Sequence, residues 1–377
     1  MNVLVIACRY YPAKNCGGPV VSIDNICNLL CDKISFYIVA SDTDIGEKSR
    51  LVGLTDGWNE RANCRVMYLS EKERTKEKYK SIINEVNPSL IYINSLFAGR
   101  YVIPFLKLAR DRKIPVLLAP RGQLCKNAFL KKYKKIPYLL FFRRLLKGAN
   151  VYYQYTSEEE KEVIEHYIRI RGKHLVSLPN VSFSSSSIVE KRKKVQGQLR
   201  IVFISRIHRK KNLHGALQML PYLNGKVDFD VYGPKEDLEY WSECESLIQN
   251  LPPDVIVKYC GSVDHEDVYK VFADHDVFLF PTLSENYGHV IAEAMLSRCP
   301  VIISDQTPWT GICKSGAGWV YVLEDTEGFT SALQKLIDMD NDEYIQWCNR
   351  CFTYVERAID IDGIKRQYKN LFFTFKQ

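Results

Sequence analysis

Short apolar runs alternate with longer amphipathic stretches along the chain. In the first half, runs rich in Val, Ile, Tyr and Phe lie at 3–8, 35–40, 65–69, 90–94, 116–120 and 151–156. Stretches with helical spacing of apolar residues separate them, at 19–31, 71–86, 100–112, 125–147 and 157–169. Continuous apolar strands separated by helices predict a parallel sheet that is covered on both faces.

The same alternation restarts after a serine-rich and basic stretch. Strands are predicted at 200–205, 228–233, 255–261, 277–281 and 300–304, and helices at 211–221, 236–250, 264–274, 288–298, 326–338 and 341–357. The stretch SFSSSSIVEKRKKVQG has no periodic apolar face, which indicates a linker. The sequence therefore predicts domains at 1–182 and 198–358, a linker at 183–197, and a C-terminal helix at 359–377. Packing of that helix back on the first domain is left open.

The predicted fold class is α/β, with two Rossmann-like, doubly wound parallel-sheet domains that face a cleft. Ligands of such sheets bind beyond the carboxyl ends of the strands. The residues that carry chemistry are therefore expected in the loops that directly follow strands.

Composition narrows the class of protein. The chain has 377 residues, of which 46% are hydrophobic and 25% charged, which excludes a largely disordered chain, a collagen-like fibre and a coiled coil. No apolar run approaches the roughly 18 residues of a membrane-spanning helix. The N-terminal MNVLVIACRYYP is interpreted as a strand and not as a signal peptide, so we expect a cytoplasmic protein. The 12 cysteines include one Cys-x-x-Cys pair, Cys348 and Cys351, without a partner pair, which favours reduced, buried thiols over a zinc site.

The positive charge is concentrated in the first half. Residues 1–185 carry 30 basic and 17 acidic side chains, and the remainder carries 22 and 27. Such an excess indicates attraction to nucleic acid, phospholipid or a pyrophosphate-bearing acceptor. The stretch 126–148 interleaves basic and apolar residues. It predicts either a helix packed on its own domain or an interfacial helix against anionic lipid, and both remain open. No nucleic-acid module is visible, so nucleic acid is the less favoured partner.

Three loops that follow strands contain candidate site residues. Gly17 and Gly18 follow the first strand and permit either a plain turn or close approach of a phosphate to backbone N–H groups. Their loop matches neither the dinucleotide fingerprint nor the P-loop. Arg206 and Lys211 bracket the turn from a strand into a helix, which suits a diphosphate or a solvated basic loop.

The third loop contains two glutamates. Glu285 precedes a helix, Glu293 lies within it, and Gly288 permits a close backbone approach near the start of the helix. Carboxylates accept hydrogen bonds from vicinal sugar hydroxyls, although a helix-terminal carboxylate and a surface glutamate would show the same pattern. Asp-x-Asp, a metal signature of another transferase fold, recurs along the chain and therefore has little specificity.

These motifs together resemble the family 4 retaining glycosyltransferases of the GT-B fold, and in particular those of bacterial surface-polysaccharide synthesis. Glu285 and Glu293 match the Glu-x7-Glu signature, and Arg206 and Lys211 match the Arg-x4-Lys signature. Gly17 and Gly18 match the glycine loop, and APRGQL at 119–124 is similar to a segment of a subset of these enzymes. The resemblance covers nearly the whole chain in the right order.

The resemblance implies a nucleoside-diphosphate sugar as donor, with no cofactor and no required metal. Arg206 and Lys211 would neutralise the diphosphate, and Glu293 would hold the ribose hydroxyls. Glu285 would bind the transferred sugar. The further donor-binding residues implied are Asn286, Tyr287 and Gly288, with Gly17 and Gly18 closing over the diphosphate.

Retention implies an α-glycosidic product, usually explained by a front-face route that needs no protein nucleophile. At a position where many relatives carry a histidine this chain has Arg121, whose guanidinium cannot transfer protons but could contact donor phosphate or sugar. The catalytic set implied is thus Glu285, Arg206, Lys211 and Arg121.

The favoured acceptor is a lipid-linked oligosaccharide of O-antigen, capsule or exopolysaccharide synthesis, with a hexosyl or N-acetylhexosaminyl group transferred at the inner face of the plasma membrane. The alternatives are a soluble sugar or metabolite as acceptor, or a nucleotide-sugar-binding protein without catalysis.

Overall fold

The computed structural model describes residues 1–14, 17–124, 132–182, 190–265 and 267–375, without the side chains of 132–134. The chain divides into two compact units. Unit 1 comprises residues 1–181 and 361–377, and unit 2 comprises residues 182–360. Residues 183–189 of the predicted linker lie outside the described residues. Residues 190–197 lie in unit 2, where Lys191 Nζ donates to the carbonyl of Phe272 at 2.9 Å.

In its described residues, unit 1 contains one sheet and six α-helices. The strands are β1 (Asn2–Ala7), β2 (Ser35–Ser41), β3 (Trp58–Glu60), β4 (Arg65–Leu69), β5 (Leu90–Asn94), β6 (Val116–Leu118), β7 (Val151–Tyr155) and β8 (Leu175–Ser177). The helices are α1 (Gly18–Leu30), α2 (Lys76–Val86), α3 (Gly99–Asp111), α4 (Lys132–Leu145), α5 (Glu158–Val163), which continues into a π-helical turn (Ile164–Ile168), and, at the end of the chain, α12 (Ile361–Phe373).

The sheet of unit 1 has the order β3-β4-β2-β1-β5-β6-β7-β8. All neighbours are parallel except β3 and β4. The central strand β1 pairs with β2 on one side and β5 on the other, with Ala7 opposite Asn94. The chain therefore reverses its winding direction at β1, and the carboxyl ends of β1 and β5 form the place where such sheets bind ligands.

Unit 2 repeats this plan. Its strands are β9 (Gln198–Ile204), β10 (Lys226–Tyr232), β11 (Val255–Gly261), β12 (Val277–Phe280), β13 (Val301–Ser304) and β14 (Gly318–Tyr321). Its helices are α6 (Leu213–Met219), α7 (Leu238–Ile248), α8 (Val268–Asp274), α9 (His289–Leu296), α10 (Thr326–Asp338) and α11 (Asn341–Ile359). The strand order is β11-β10-β9-β12-β13-β14, with every pair parallel.

The two parallel sheets confirm the predicted fold class of two Rossmann-like α/β domains. In each sheet the central strands are buried on both faces, as their continuous apolar runs predict. In unit 1, α2, α3 and α4 pack on the sheet through one apolar core, in which the rings of Tyr79 and Phe105 lie 4.5 Å apart.

Some elements differ from the prediction. The structure contains three short strands that the sequence does not predict, β3, β8 and β14. Each has three or four residues and lies at a sheet edge. Helix α2 begins at Lys76 and not at residue 71, because the Thr75 side chain accepts a hydrogen bond from the N–H of Lys78 and caps the helix there. The helix predicted at 125–147 is observed as α4, and residues 125–131 lie outside the described part of the chain.

Helix α12 belongs to unit 1, although 179 residues of unit 2 precede it in the chain. The Tyr368 hydroxyl donates to the carbonyl of Pro179 at 2.9 Å and accepts from Gln154 Nε2 at 2.9 Å. The Phe372 ring lies 6.4 Å from Phe36 and 5.8 Å from Tyr92. No helix within the described ranges combines the length and the apolar character needed to cross a membrane.

Candidate functional site

The strand order of unit 2 brings two of the candidate loops together. Strands β9 and β12 are neighbours, so the loops that follow them meet at the same edge of the sheet. The carbonyl of Lys210 accepts from the N–H of Leu283 at 2.9 Å and from Thr282 Oγ1 at 3.1 Å. Asn212 Nδ2 donates to the carbonyl of Pro281 at 2.9 Å. These bonds fix the loop that carries Lys211 against the loop that carries Glu285.

Lys211 and Glu285 form an ion pair across these loops. Both side chains are mostly buried, and the Lys211 ammonium lies 5.4 Å from the centroid of the Phe280 ring. The Glu285 backbone N–H donates to the carbonyl of Gln306 at 2.9 Å, which ties this loop to the end of β13. The charges neutralise each other in a place that water reaches poorly, where an unpaired charge would be costly.

Arg206 lies directly beyond the end of β9 and contacts a different carboxylate. Its Nη1 donates to Glu236 Oε2 at 2.7 Å, and both side chains are about half exposed. Glu236 lies in the loop after β10, the neighbour of β9 on the other side. The sequence motifs gave no signal for Glu236, because it matches neither signature and lies 30 residues from its partner.

Gly288 shapes the start of α9. Its φ of 74° lies in the left-handed region, and a Cβ there would stand 2.9 Å from Ile291 Cδ1. The carbonyl of Tyr287 accepts from Trp309 Nε1 at 2.6 Å, and the Tyr287 ring packs between His289 and Trp309. Asn286 and Tyr287 thus lie in the loop between Glu285 and the helix. Gly288, which precedes the helix, offers no side chain as a cap, so the first N–H groups of α9 can serve a ligand.

Glu293 is buried within α9. Its Oε1 lies 3.5 Å from Nε2 of His265, a residue that follows β11. Sequence reasoning missed His265, since a single histidine after a strand carries no motif. Glu293 and Glu285 flank the start of α9 from within the helix and from the preceding loop, so unit 2 gathers Arg206, Lys211 and both signature glutamates around one edge of its sheet.

The glycine loop lies in unit 1, where β1 ends. Gly17 is exposed and Gly18 is the first residue of α1. Residues 15 and 16, which belong to the same loop, lie outside the described part of the chain. The prediction that Gly17 and Gly18 close over a diphosphate stays a prediction.

Arg121 uses its guanidinium to connect three side chains of unit 1. Nε donates to Asn94 Oδ1 at 2.9 Å, Nη1 to Asn180 Oδ1 at 2.6 Å and Nη2 to the Tyr92 hydroxyl at 2.6 Å. The next residue is held as well, since the Gly122 N–H donates to the fully buried Glu160 at 2.9 Å. Burial raises the pKa of Glu160 above the usual carboxyl value, although the positive charge of Arg121 and its own hydrogen bonds oppose the shift. In this arrangement Arg121 orders the carboxyl edge of β5, and its contact with a donor stays a prediction.

Within the described ranges, no three His, Cys, Asp or Glu side chains come together as metal ligands. Cys348 and Cys351 are buried thiols, and burial raises the pKa of both. Such thiols are protonated at neutral pH and are poor metal ligands and nucleophiles.

Comparison with known proteins finds similarity to glycosyltransferases, and the family match lies in the second half of the chain. Residues 184–349 match the family model described as glycosyl transferases group 1, and this range contains Arg206, Lys211, Glu285 and Glu293. A 41.2 kDa protein of the cps region of Klebsiella pneumoniae is 25% identical over 255 residues, which cover 63% of this chain and 66% of that protein. The human alpha-1,3/1,6-mannosyltransferase ALG2 is 26% identical over 263 residues, which cover 62% of each. The chain thus spans just under two thirds of the length of these relatives.

Solved structures share the fold over nearly the whole chain. Sucrose-phosphate synthase of Thermosynechococcus elongatus has a TM-score of 0.73 at 16% identity, over 99% of this chain and 98% of that one. Anabaena HepE, solved with UDP-glucose, has a TM-score of 0.71 at 14% identity, over 99% of this chain and all of that one (100%). At these identities the likeness shows the fold alone, and it confirms the predicted GT-B fold.

Proposed function

We propose that this protein is a retaining, family 4 glycosyltransferase that moves a sugar from a nucleoside-diphosphate donor to a glycan acceptor. One observation carries the proposal. Within the range that matches the glycosyl transferases group 1 model, the carboxyl ends of β9 and β12 present Arg206, Lys211 and Glu285, with Glu293 buried on the following helix. This edge is where a doubly wound sheet binds a diphosphate ligand.

In the proposed complex, Arg206 and Lys211 bind the donor diphosphate. Both cations already have carboxylate partners, Glu236 and Glu285, so the ligand exchanges one anionic partner for another. The first N–H groups of α9 add backbone donors, and the positive end of the helix dipole favours negative charge there. The two cations and the helix supply the positive charge that a metal ion would otherwise supply, so we propose a reaction without a required metal.

The two signature glutamates bind hydroxyl groups. Glu293 accepts from the ribose diol, and Glu285 accepts from the transferred sugar, since an ionised carboxylate offers only acceptors to these donors. Release of Lys211 to the diphosphate frees Glu285 for this contact. Asn286, Tyr287 and Gly288, in the loop between Glu285 and α9, complete the donor site in this proposal.

The proposed chemistry is a front-face exchange. The bond between the anomeric carbon and the diphosphate oxygen breaks, and the acceptor oxygen forms a bond to that carbon on the same face. The acceptor proton passes to the departing diphosphate, so no protein nucleophile is needed and the product is an α-glycoside. Arg206 and Lys211 stabilise the negative charge that develops on the leaving diphosphate.

The proposed acceptor is a lipid-linked oligosaccharide of a bacterial surface polysaccharide, with a hexosyl or N-acetylhexosaminyl group transferred at the inner face of the plasma membrane. The cps-region relative supports this pathway, and ALG2 supports a sugar transfer of this kind. Helix α4 exposes Leu140 and Phe141 next to the basic pair Arg143 and Arg144, as an interfacial helix would. Flotation with anionic liposomes at low salt tests the surface, and a protein that stays unbound would favour a soluble acceptor.

The donor site is tested by a matched pair of arginine variants. Arg206 and Arg209 lie in the same loop, each with a 48% exposed side chain and a glutamate partner, but only Arg206 belongs to the proposed site. The protein is titrated with a panel of nucleoside diphosphates, and the shift in its melting temperature measures binding. We expect one nucleotide base to be preferred. Arg206→Ala should weaken that binding about tenfold or more, as expected for a lost charge-assisted bond, and Arg209→Ala should leave it unchanged.

Turnover separates the proposal from its alternatives. Glu285→Ala and Arg206→Ala should each abolish most donor turnover in folded protein. Turnover that is indifferent to both variants would contradict the proposed site. Tight donor binding with neither transfer nor slow donor hydrolysis would instead indicate a binding protein without catalysis.

A further inference from the structure

Among the described residues of unit 1, several buried hydrogen-bond donors lack an acceptor, and four of them lie at one edge of the sheet. They are Arg9 Nε, Arg74 Nε, the Tyr101 hydroxyl and Asn94 Nδ2, and no described residue accepts from any of them. A buried donor without a partner costs about 1–3 kcal/mol, so four at one place call for an explanation.

All four lie at the carboxyl edge of the sheet, around its switch point. Arg9 follows β1, and Asn94 ends the adjacent β5 opposite Ala7. Tyr101 lies in the first turn of α3, which follows β5. Arg74 follows β4, and its Nη2 donates to Ser41 Oγ at 2.6 Å and to the Leu69 carbonyl at 3.2 Å, at the ends of β2 and β4.

The two guanidinium groups act on the same small region. The Arg74 guanidinium carbon lies 5.0 Å from the centroid of the Tyr101 ring, and Arg9 Nη1 donates to the carbonyl of Cys8 at 2.8 Å. Burial is the largest influence on the pKa of the Cys8 thiol and of the Tyr101 hydroxyl, and the positive charges of both arginines oppose it. Burial outweighs them, raising the pKa of Cys8 above its usual value and that of Tyr101 to about 12. Both groups are therefore neutral at neutral pH and leave the two cations uncompensated.

No carboxylate in the described part of the chain pairs with Arg9 or Arg74. Other arginines differ in this respect, since Arg200 pairs with Asp276 and Arg206 pairs with Glu236. A half-buried pair of cations surrounded by unused donors is complementary to a ligand that carries only acceptors and a negative charge. Carboxylate and phosphate groups have this chemistry, and the planar guanidinium matches both.

We propose that Arg9 and Arg74, with Tyr101 and Asn94, form an oxyanion-binding site of unit 1, and that it holds a phosphate or carboxylate group of the sugar acceptor. The site itself stands on the geometry of unit 1. Its assignment to the acceptor rests on the proposed function, in which the residues of unit 2 account for the diphosphate of the donor. The substrate class that follows is an acceptor glycan that carries a phosphate or a carboxylate group, and a lipid-linked oligosaccharide with such a group belongs to it.

The site is tested with inorganic phosphate as the probe, by thermal shift at constant ionic strength. Arg9→Gln and Arg74→Gln should each weaken phosphate binding about tenfold, since each removes a charge-assisted contact. Arg366→Gln, which changes an exposed arginine of unit 1, is the matched control and should bind as the native protein does. Arg206→Gln removes the phosphate contact expected in unit 2. The part of the phosphate binding that depends on Arg9 and Arg74 should remain.

Tyr101→Phe is a variant that should fold as the native protein does, so its effect on phosphate binding does not depend on a loss of folding. It removes one hydroxyl that accepts and donates nothing among the described residues, and it keeps the ring beside Arg74. The melting temperature without phosphate should be unchanged or higher, and phosphate binding should weaken several-fold. Phosphate binding that is the same in Arg9→Gln, Arg74→Gln, Tyr101→Phe and the native protein would overturn the site, as would the absence of binding to the native protein.

Glucose 6-phosphate, glucuronate and glucose distinguish the ligand classes by competition with phosphate. Stronger competition by glucose 6-phosphate supports a phosphate group on the acceptor, and stronger competition by glucuronate supports a carboxylate group on it. Equal competition by neutral glucose would overturn the assignment to an anionic acceptor. If no donor binds to unit 2 while phosphate binding still depends on Arg9 and Arg74, the site stands and the proposed function fails.

Discussion

The two cations of the proposed donor site have carboxylate partners in the structure. Lys211 pairs with Glu285 in a mostly buried place, and Arg206 pairs with Glu236 in a half-exposed one. A donor diphosphate must displace both carboxylates, so part of its binding energy is spent on breaking these contacts. The two pairs differ in what this costs, because an exposed ion pair contributes about 0–1 kcal/mol and a buried one involves much larger opposing terms.

Glu236→Gln should therefore strengthen diphosphate binding. The variant releases Arg206 and removes a negative charge beside the ligand, and the affinity should rise by about two- to fivefold, which corresponds to the value of an exposed ion pair. Titration calorimetry with the preferred nucleoside diphosphate measures the change. Glu243→Gln is the control, since Glu243 is 42% exposed against 43% for Glu236 and pairs with Arg209 instead. Weaker binding in Glu236→Gln alone would show that Glu236 itself contacts the ligand.

The sequence predicts the position of site residues better than their partners. Arg206, Lys211 and Glu285 follow apolar runs, and Glu293 lies in the next helix, so their place near a sheet edge follows from the alternation of strands and helices. Glu236 carries no comparable signal, because its contact with Arg206 depends on how the loops after β9 and β10 pack. The same holds for Arg121, whose partners Tyr92, Asn94 and Asn180 lie 27–59 residues away.

At the scale of elements, the loop after β9 is fixed by close approach of the loop after β10. The N–H of Ser205 donates to the carbonyl of Tyr232 at 3.0 Å, and the N–H of Ile207 donates to that of Pro234 at 2.9 Å. Between them, a Cβ on Gly233 would stand 1.9 Å from the Ser205 carbonyl oxygen, and φ at Gly233 is 134°. A glycine is therefore required where the two loops touch, directly beside Arg206.

Gly233→Ala should destabilise unit 2 by about 3–5 kcal/mol, since it combines a positive φ with a clash against backbone that can move only if the loop moves. Gly261→Ala is the matched variant, with a φ of 76° and no atom within 4 Å of the added Cβ. It should cost only the conformational strain, about 1–2 kcal/mol. Urea unfolding measures both. If both variants lose the same free energy of unfolding, the loop after β9 can move away from the added Cβ at little cost, and it does not fix Arg206.

The elements that the sequence missed share a physical reason. Trp58–Glu60, Leu175–Ser177 and Gly318–Tyr321 are strands of three or four residues, and each lies at an edge of its sheet. The fourth edge is β11, whose seven residues the sequence does predict. A strand at an edge pairs on one side only, so its residues need not form a long apolar run. The long central strands were predicted within one or two residues, because burial on both faces demands continuous apolar sequence.

At the scale of the whole molecule, each unit has its own sheet and its own core, but unit 1 is built from two separate parts of the chain. Residues 1–181 form its sheet and α12 completes it from the other end of the sequence. The sequence predicts a helix in this region, but its docking depends on single contacts such as the Tyr368 hydroxyl bond to Pro179. No local pattern identifies such partners, which is why the packing of the helix was left open.

Helix α12 should therefore stabilise unit 1 without stabilising unit 2. The Phe372 ring is fully buried among Phe36, Tyr92 and Tyr368 of unit 1, and Phe372→Ala should cost about 3–5 kcal/mol, as for other buried aromatic side chains. Hydrogen exchange should become faster in β2, β5 and α12, where these contacts are lost, and stay unchanged throughout unit 2.

Phe329→Ala gives the complementary measurement. Phe329 is just as buried, but it lies on α10 of unit 2 and packs against Tyr321 of β14, with ring centroids 5.2 Å apart. Its loss should accelerate exchange in α10 and β14 and leave unit 1 protected. If the two cores are separate, each variant should accelerate hydrogen exchange only in the unit that contains the removed ring, because each ring belongs to one core only. If instead Phe372→Ala accelerates exchange equally in both units, the two cores unfold together, and the stability of the proposed donor site depends on helix α12.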